Sequence, residues 1–263
     1  MKIICPKSQF LHGVNIVSKA VSTKTTMDIL ECILIEAYDG CIKLTANDTE
    51  LGIETTITGD IVQPGKIALE AKLFSEIIKK IPDNDVILET EENGNTSIRC
   101  EQIHCNIMGK QGDDFSHLPV IEKENKITVS QYDLKEVIRQ TIFSVSDNEN
   151  NKLMTGELFQ IEDNQLTVTS LDGHRISVRK IALQDNYPKM EVIVPGKTLS
   201  EISKILPGEA KDSVNMYITD KHILFEFENT LVVSRLLEGK FYNIGQMLST
   251  DYETKIVLNK LEL

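Results

Sequence analysis

The chain contains KLFSEIIKKIP at residues 72–82 and KTLSEISKILP at residues 197–207, two versions of one pattern. Apolar residues recur three and four positions apart, which predicts an amphipathic helix with one face in the core. The proline that closes each version ends the helix, because proline has no N–H for the helical hydrogen bond. The pattern returns about 125 residues later, which indicates an internal repeat.

The repeat extends on both sides of these helices. Each copy opens with a strand pattern, Lys2–Cys5 and Lys126–Val129, which leads into a first helix pattern. An alternating strand in each copy then ends at a turn-forming aspartate, Asp48 or Asp172, and a further strand follows. This order predicts an α+β fold of tandem domains. Each domain would have two helices packed on antiparallel sheets of about eight strands.

The repeat also predicts the domain boundaries. The first domain is expected at residues 1–122, the second at residues 123–250, and the beginning of a third at residues 251–263. The last segment supports this division, because residues 255–263 read like residues 126–134, the opening strand and first helical turn of the second copy. We therefore expect a longer protein, cut here within its third copy.

Composition favours a soluble globular protein, with 41% hydrophobic and 5% aromatic residues in 263. No apolar run approaches the roughly 18 residues of a membrane span, and the first residues lack a signal-peptide core. A cytoplasmic protein without a membrane association is expected.

The five cysteines are odd in number and form no C-x-x-C pair, so buried free thiols are predicted. The five histidines show no metal spacing.

The net charge of −12 argues against nucleic acid unless the basic residues collect on one face. Basic residues in the predicted helices are spaced four or seven apart, which places them on shared faces, and the second helices of both copies carry them at matching positions. They could be ordinary solvated side chains, but the repetition favours weak, sequence-independent contact with a DNA backbone. The helix candidates are Lys72, Lys79, Lys80, Lys135, Arg139, Lys197 and Lys204.

Four segments carry a resemblance to a known family. They are TSLDGHRISV at residues 169–178, VIVPGK at 192–197, LTANDTEL at 44–51 and LEGKF at 237–241. The Asp-Gly-His-Arg run in the first is the most specific. Together they resemble the bacterial DNA sliding clamp, the β subunit of DNA polymerase III, in one order along the whole chain.

The resemblance implies a ring of three-domain subunits, formed by a head-to-tail homodimer, that encircles duplex DNA and tethers polymerases for processive synthesis. Helices would line the hole and continuous sheets would form the outside. Such a protein has no catalytic site and no cofactor of its own. DNA contacts are implied near Lys24 and in the loop 148–153, where Lys152 would meet a phosphate.

The resemblance also implies a pocket into which DNA polymerase and clamp-loader subunits insert short hydrophobic peptides. Its residues here would be Met154, Leu171, Gly173, His174, Arg175, Ile176, Tyr242, Gln246 and Met247. Four positions depart from the commoner family pattern: Leu171 replaces a threonine, Tyr242 a proline, Gln246 an arginine and Met247 a valine. The preferred peptides are therefore expected to differ, over an apolar floor of Met154, Leu171, Ile176 and Met247.

Two other classes of function remain open. An enzyme would need a constellation that the sequence lacks, since it has no G-x-S-x-G, H-E-x-x-H or G-x-G-x-x-G motif. Residues 195–198 imitate the tail of a phosphate loop, but Glu191 occupies the required upstream glycine position. The other alternative is a two-domain scaffold that binds peptides without encircling DNA. For the clamp and for the scaffold alike, the 263-residue chain is expected to be monomeric and to bind peptides more weakly than a full-length chain.

Overall fold

The computed structural model describes residues 1–22, 25–148, 150–248, 251, 253–259 and 261. The helices of the first copy are α1 (Lys7–Val17) and α2 (Ala71–Lys80). Its strands are β1 (Lys2–Pro6), β2 (Cys32–Tyr38), β3 (Cys41–Asn47), β4 (Leu51–Ile57), β5 (Asp60–Gln63), β6 (Gly65–Glu70), β7 (Asp85–Thr90), β8 (Asn95–Cys100), β9 (Ile103–Met108) and β10 (Lys110–Gln111).

The second copy follows the same plan. Its helices are α3 (Gln131–Thr141), α4 (Gly196–Ile205) and the short α5 (Ile244–Met247). Its strands are β11 (Ile127–Ser130), β12 (Gly156–Leu171), β13 (Ile176–Pro195), β14 (Ser213–Ile218), β15 (His222–Phe227) and β16 (Thr230–Arg235). Short 3-10 helices lie at Ser18–Ala20, Asp28–Glu31, Gly112–Asp114, Ile142–Ser144 and Lys152–Thr155.

The helices form where the repeat predicts them. Both second helices end two residues before their proline, and the Ile77 and Ile202 carbonyls accept the N–H of the residue that follows the helix. Both first helices continue into a 3-10 turn. The prediction of about eight strands per copy is inexact, because the described residues form ten strands in the first copy and six in the second. In the second copy, two long strands with a register shift near Asp163 take the place of several short ones.

One sheet runs through both copies. Nine strands lie in the order β10-β6-β2-β3-β4-β16-β15-β14-β11, so the first copy supplies five and the second copy four. A five-stranded sheet, β5-β1-β7-β8-β9, completes the first copy, and the β12-β13 hairpin completes the second. All of the pairings within these sheets are antiparallel. The predicted α+β class with antiparallel sheets is confirmed.

The copies join at the pairing of β4 with β16, which we call the seam. Thr55 lies opposite Thr230, and their hydroxyl oxygens are 2.9 Å apart. Main-chain bonds extend the ladder beyond the strands, from Arg235 N to the Glu50 carbonyl at 2.9 Å. Because each main-chain N–H and C=O in a ladder finds a partner, the two copies share one continuous sheet rather than a loose domain contact.

The core lies between the helices and the sheets. In the first copy, the rings of Phe10 on α1 and Phe74 on α2 meet edge to face, with centroids 5.8 Å apart. In the second copy, Leu134 on α3 and Ile202 on α4 are fully buried in the same continuous core. Burial of these faces leaves the polar faces of the helices toward solvent, which positions the basic residues.

The segment that connects the two copies includes Leu118. It crosses the face of the nine-stranded sheet opposite the helices. Leu118 packs there with Leu224 and Val233. A side chain at Gly52 would collide with Leu118, since a Cβ at that position would lie 2.1 Å from its Cδ2 atom. The glycine therefore allows the connection to cross close to the seam.

The segment at 251–263 does not form the predicted strand within its described residues. Residues 254–259 pair with no strand, and Ile256, Val257 and Leu258 are exposed. Their counterparts in the second copy, Ile127 and Val129, are buried by pairing with β14 and by the helices. The likeness to the start of a third copy remains a prediction, as do the boundaries at 122 and 250.

Candidate functional site

The basic residues of α2 lie on its solvent-facing side. Lys72, Lys79 and Lys80 are exposed, while Phe74 and Ile78 point into the core. No ion pair involves these three lysines within the part of the chain that the structure describes. Their charges are therefore available to an external anion.

Basic residues on α3 and α4 are already partnered. Arg139 binds Glu136 through two hydrogen bonds of 2.8 and 2.7 Å, and this guanidinium lowers the pKa of the Glu136 carboxyl. Lys204 pairs with Glu201 at 2.7 Å. Exposed pairs of this kind contribute only about 0–1 kcal/mol, so a phosphate could displace the carboxylate partner at little cost.

Lys197 makes a contact between the two copies. Its ammonium pairs with Asp48, whose carboxylate also accepts the N–H groups of Glu50 and Leu51 at 3.0 and 2.7 Å. Asp48 is the turn-forming aspartate predicted after the first copy's strand. The pair thus fixes the start of α4 against the turn before β4, next to the seam.

A groove beside this contact brings lysines from both copies together. It measures about 430 Å³ and lies between the end of α1 and the exposed side of α4. Its lining comprises Ser18, Lys19, Val21, Ser22, Lys197, Glu201 and Lys204. We call it the junction groove. In the sequence Lys19 is one of the basic residues at or near the first helix; only the fold places it beside Lys197.

Lys135 has a structural contact that the sequence did not reveal. Its ammonium donates a 2.8 Å hydrogen bond to the Leu206 carbonyl at the end of α4. Lys7 on α1 makes the equivalent bond to the Ile81 carbonyl after α2, at 2.5 Å. In each copy, a lysine from the first helix therefore satisfies a terminal carbonyl of the second and opposes its dipole. Less of the Lys135 charge is free for DNA.

The two DNA contacts implied by the resemblance are Lys24 and the loop 148–153. Lys24 lies outside the described residues, as does Glu149 in the predicted loop 148–153. Lys152 is exposed at the start of a 3-10 helix. No aromatic ring stands at Lys152 or Leu153, so phosphate contact is favoured over base stacking at this place.

A separate apolar cluster lies in the second copy. Its buried members are Leu158, Leu171, Ile193 and Phe241, and the half-buried ones are Leu153, Met154, Ile176, Leu237, Tyr242 and Ile244. Four of the predicted pocket residues thus come together: Met154, Leu171, Ile176 and Tyr242. We call the full set of these buried and half-buried residues the apolar cluster.

The rest of the predicted pocket lies around the cluster. Gly173 has a φ of +92°, a left-handed conformation that favours glycine, and has open space around its Cα. His174 is exposed beside it, and Arg175 stacks over the Phe143 ring at 5.5 Å. Met247 is 46% exposed on α5 and outside the cluster, as is the exposed Gln246. The structure does not bring Met247 into the apolar floor, and its role at the pocket stays a prediction.

Asp172 organises the turn that carries these residues. Its carboxylate accepts the N–H groups of His174 and Arg175 at 3.0 and 3.1 Å, and the Arg175 guanidinium at 2.8 Å. The bond from the His174 N–H, with those from Arg175, lowers the pKa of Asp172. The carboxylate is used by the turn itself, which favours a structural role for Asp172 over an acid–base pair with the His174 ring.

Other reactive groups are dispersed. Burial raises the pKa of Cys5 to about 12 and raises those of Cys32 and Cys100. The prediction of buried thiols is wrong for Cys41, which is exposed, and for the half-buried Cys105. The described part of the chain holds no group of three His, Cys, Asp or Glu residues placed to bind a metal ion. It also holds no helix long and apolar enough to cross a membrane.

Repeated units of two helices on antiparallel sheets, joined by one continuous sheet and carrying basic helix faces, define the DNA clamp class of proteins. Comparison with known families agrees. The family described as DNA polymerase III beta subunit, N-terminal domain, matches residues 1–119. The family described as DNA polymerase III beta subunit, central domain, matches residues 128–243.

Relatives and solved structures give the same result. The beta sliding clamps of Halalkalibacterium halodurans and Bacillus subtilis are each 37% identical to the chain, over 98% and 100% of its length and 71% of theirs. A crystal structure of a DNA polymerase III beta subunit from Eubacterium rectale has 62% identity and a TM-score of 0.94, covering 96% of this chain and 69% of that one. The Bacillus subtilis clamp structure has 36% identity and a TM-score of 0.91, with 95% and 68% covered.

The chain belongs to the family of bacterial DNA polymerase III beta subunits, the beta sliding clamps. Its function is that of this family: a clamp on duplex DNA that tethers polymerases during replication.

Proposed function

We propose that the helix faces of this chain hold duplex DNA through its phosphates, with the junction groove as the main contact. The observation that carries the proposal is the meeting of Lys19, Lys197 and Lys204 at the seam, where the continuous sheet holds both copies in one orientation. The α2 lysines extend the basic surface along the first copy. Contacts of this kind read no sequence, which suits a protein that must move along DNA.

A modest basic surface is sufficient for this role. The chain carries a net charge of −12, so most of its surface repels DNA. A clamp is retained because it surrounds the duplex, and its affinity for the phosphates can therefore stay low. Glu201 within the groove supports this reading, since it offers the lysines an alternative partner when a phosphate leaves.

The DNA contact can be tested by removing two groove charges. The variant Lys197→Ala/Lys204→Ala should bind a labelled 20-base-pair duplex more weakly in an anisotropy titration. The slope of log K against log salt concentration should fall by about 0.9 for each lost phosphate contact. The control is Lys123→Ala/Lys43→Ala, which makes the same change of charge away from the helices. Equal losses of affinity in both variants would contradict a specific role for the groove.

We further propose that the apolar cluster and the turn at Gly173 form the pocket for partner peptides of polymerases and the clamp loader. Hydrophobic side chains that lie half-buried in a cluster can accept an apolar anchor, and Gly173 leaves space for the peptide backbone. Binding of a labelled Gln-Leu-Ser-Leu-Phe peptide should weaken in Ile176→Ala. It should not change in Ile61→Ala, a half-buried isoleucine of the first copy. Unchanged binding in Ile176→Ala would remove this residue from the pocket.

We propose that the subunits assemble head to tail, as the family resemblance implies. Strand β9 is at the edge of the five-stranded sheet, and Ile103 and Met108 on it are exposed, as expected for a strand that pairs with another subunit. Residues 1–263 alone are expected to sediment as a monomer, and a stable closed dimer would contradict this.

We also propose that the protein has no catalytic site and works in the cytoplasm, where bacterial DNA is replicated. Turnover of an ester, phosphate or nucleotide by the pure chain would contradict the first point.

A further inference from the structure

One pair of polar side chains joins two walls of the apolar cluster. The Asn151 side-chain nitrogen donates to the Tyr242 hydroxyl at 2.7 Å, and the hydroxyl donates to the Asn151 side-chain oxygen at 3.0 Å. An amide offers both a donor and an acceptor, and so does a hydroxyl, so each group satisfies the other. We call this pair the clasp.

Asn151 also fixes the opposite wall. Its main-chain carbonyl accepts the Met154 N–H at 3.0 Å and so begins the 3-10 helix that carries Leu153 and Met154 into the cluster. The Met154 carbonyl in turn accepts the Ser146 N–H at 2.8 Å. The side chain of Asn151 therefore holds Tyr242, while its backbone holds Met154. These two pocket residues lie on segments far apart in the sequence.

The clasp determines which part of Tyr242 remains for a ligand. The ring packs edge to face against the buried Phe241, with centroids 5.9 Å apart, and against the cluster. The hydroxyl, the only polar atom of the side chain, is satisfied by Asn151. A hydrophobic anchor would then meet an apolar ring in a fixed position, without having to remove water from the hydroxyl.

We propose that Asn151 is a positioning residue for peptide recognition, which holds the Tyr242 ring in place as a preformed wall of the pocket. The inference rests on the proposed peptide-binding function and extends it to a residue of the loop 148–153, for which the resemblance implies only DNA contact. Preformed sites bind more tightly because the free protein has already ordered the side chains that contact the ligand. Asn151 itself need not touch the peptide.

The test is a double-mutant cycle on the chain, with the labelled Gln-Leu-Ser-Leu-Phe peptide as the probe. Tyr242→Phe removes the hydroxyl and keeps the ring, and Asn151→Ala removes the amide. Each should weaken the peptide Kd by about 2- to 10-fold, the effect of ordering one side chain. The double variant should bind no more weakly than the weaker single variant, since both changes break the same pair. Asn151→Asp keeps an acceptor for the hydroxyl and should retain part of the affinity.

Two controls separate this role from general stability. Tyr132→Phe changes an exposed tyrosine on α3 and should leave the Kd unchanged. The Tm of every variant should lie well above the assay temperature, so that each variant is folded during the titration. Single variants that bind like the unmutated chain, or effects that multiply in the double variant, would overturn the clasp alone. An unmutated chain that fails to bind the peptide would overturn the proposed pocket and the clasp together.

Discussion

Glu157→Gln is expected to remove much of the pH dependence of stability between pH 6 and pH 8. Glu157 lies at the start of β12, opposite Val194, and is completely buried. Its Oε2 atom is 3.0 Å from the Thr141 hydroxyl, and its Oε1 atom has no hydrogen-bond partner among the described residues. Burial raises the pKa of this carboxyl from 4.5 to about 8, with the bond from Thr141 opposing part of the rise.

Local geometry agrees with a neutral carboxyl. The Thr141 hydroxyl also lies 2.8 Å from the Val137 carbonyl, and it has one hydrogen to donate. If Glu157 is protonated, it can donate to Thr141 while Thr141 donates to Val137, which satisfies the chain of bonds. An ionised carboxylate would instead be a buried negative charge without a cationic partner, which is far more costly.

The sign and size of the effect follow from the two pKa values. From about pH 4.5 to pH 8, the unfolded chain loses this proton and the folded chain keeps it, so folding stability falls as the pH rises. The contribution is fully present below pH 4.5 and is lost progressively up to about pH 8. Each pKa unit corresponds to about 1.4 kcal/mol, so the free energy of unfolding should fall by about 2 kcal/mol between pH 6 and pH 8 from this group.

Urea unfolding, followed by circular dichroism at pH 6, 7 and 8, measures this directly. The quantity to compare is the change of the unfolding free energy with pH, because Glu157→Gln can also shift stability equally at all three values. Glu76→Gln, at an exposed glutamate on α2, is the matched control and should keep the full pH dependence. Equal slopes for Glu157→Gln and the unmutated chain would show that Glu157 is ionised in the folded protein, contrary to this reasoning.

Three further predictions concern the core, the thiols and the helix ends. Phe74→Ala should lower the free energy of unfolding by about 3–5 kcal/mol in urea titrations, and a loss below about 1 kcal/mol would mean that the core closes around the space. Cys41 should react with a thiol reagent in the native protein before Cys5, whose burial raises its pKa to about 12; mass spectrometry of partly labelled protein gives the order, and early labelling of Cys5 would contradict the fold. Lys135→Met should destabilise by about 1–2 kcal/mol through loss of the bond to α4, while Lys80→Met should change the Tm little; equal effects would deny the capping role.

The sequence predicts the helices better than it predicts their assembly. The pattern at 72–82 and 197–207 locates α2 and α4 because amphipathic spacing and a terminal proline are local signals. The seam has no such signal. Strands β4 and β16 read as ordinary alternating strands, and nothing in either indicates a partner about 175 residues away.

The candidate site is also predicted only in part by the sequence. Met154, Leu171 and Ile176 come together as the family resemblance implies, whereas Met247 lies outside the cluster. The resemblance places Asn151 only in the loop 148–153, with DNA contact as its implied role, and nothing in the sequence indicates a contact with Tyr242. Its role depends on a tyrosine from another segment. Glu157 offered a faint signal, a single acidic residue beside the apolar run of β12, but only the fold shows that it is buried.

The seam has a consequence for how the two copies can change over evolutionary time. Most of the hydrogen bonds across the seam join main-chain groups. These groups are the same whichever side chains the strands carry. Positions of β4 and β16 other than Gly52 can therefore be substituted while the main-chain pairing that joins the copies is kept. In a ring built from such copies, a joint made mainly by main-chain bonds would keep neighbouring copies at one angle while the side chains of the helices change.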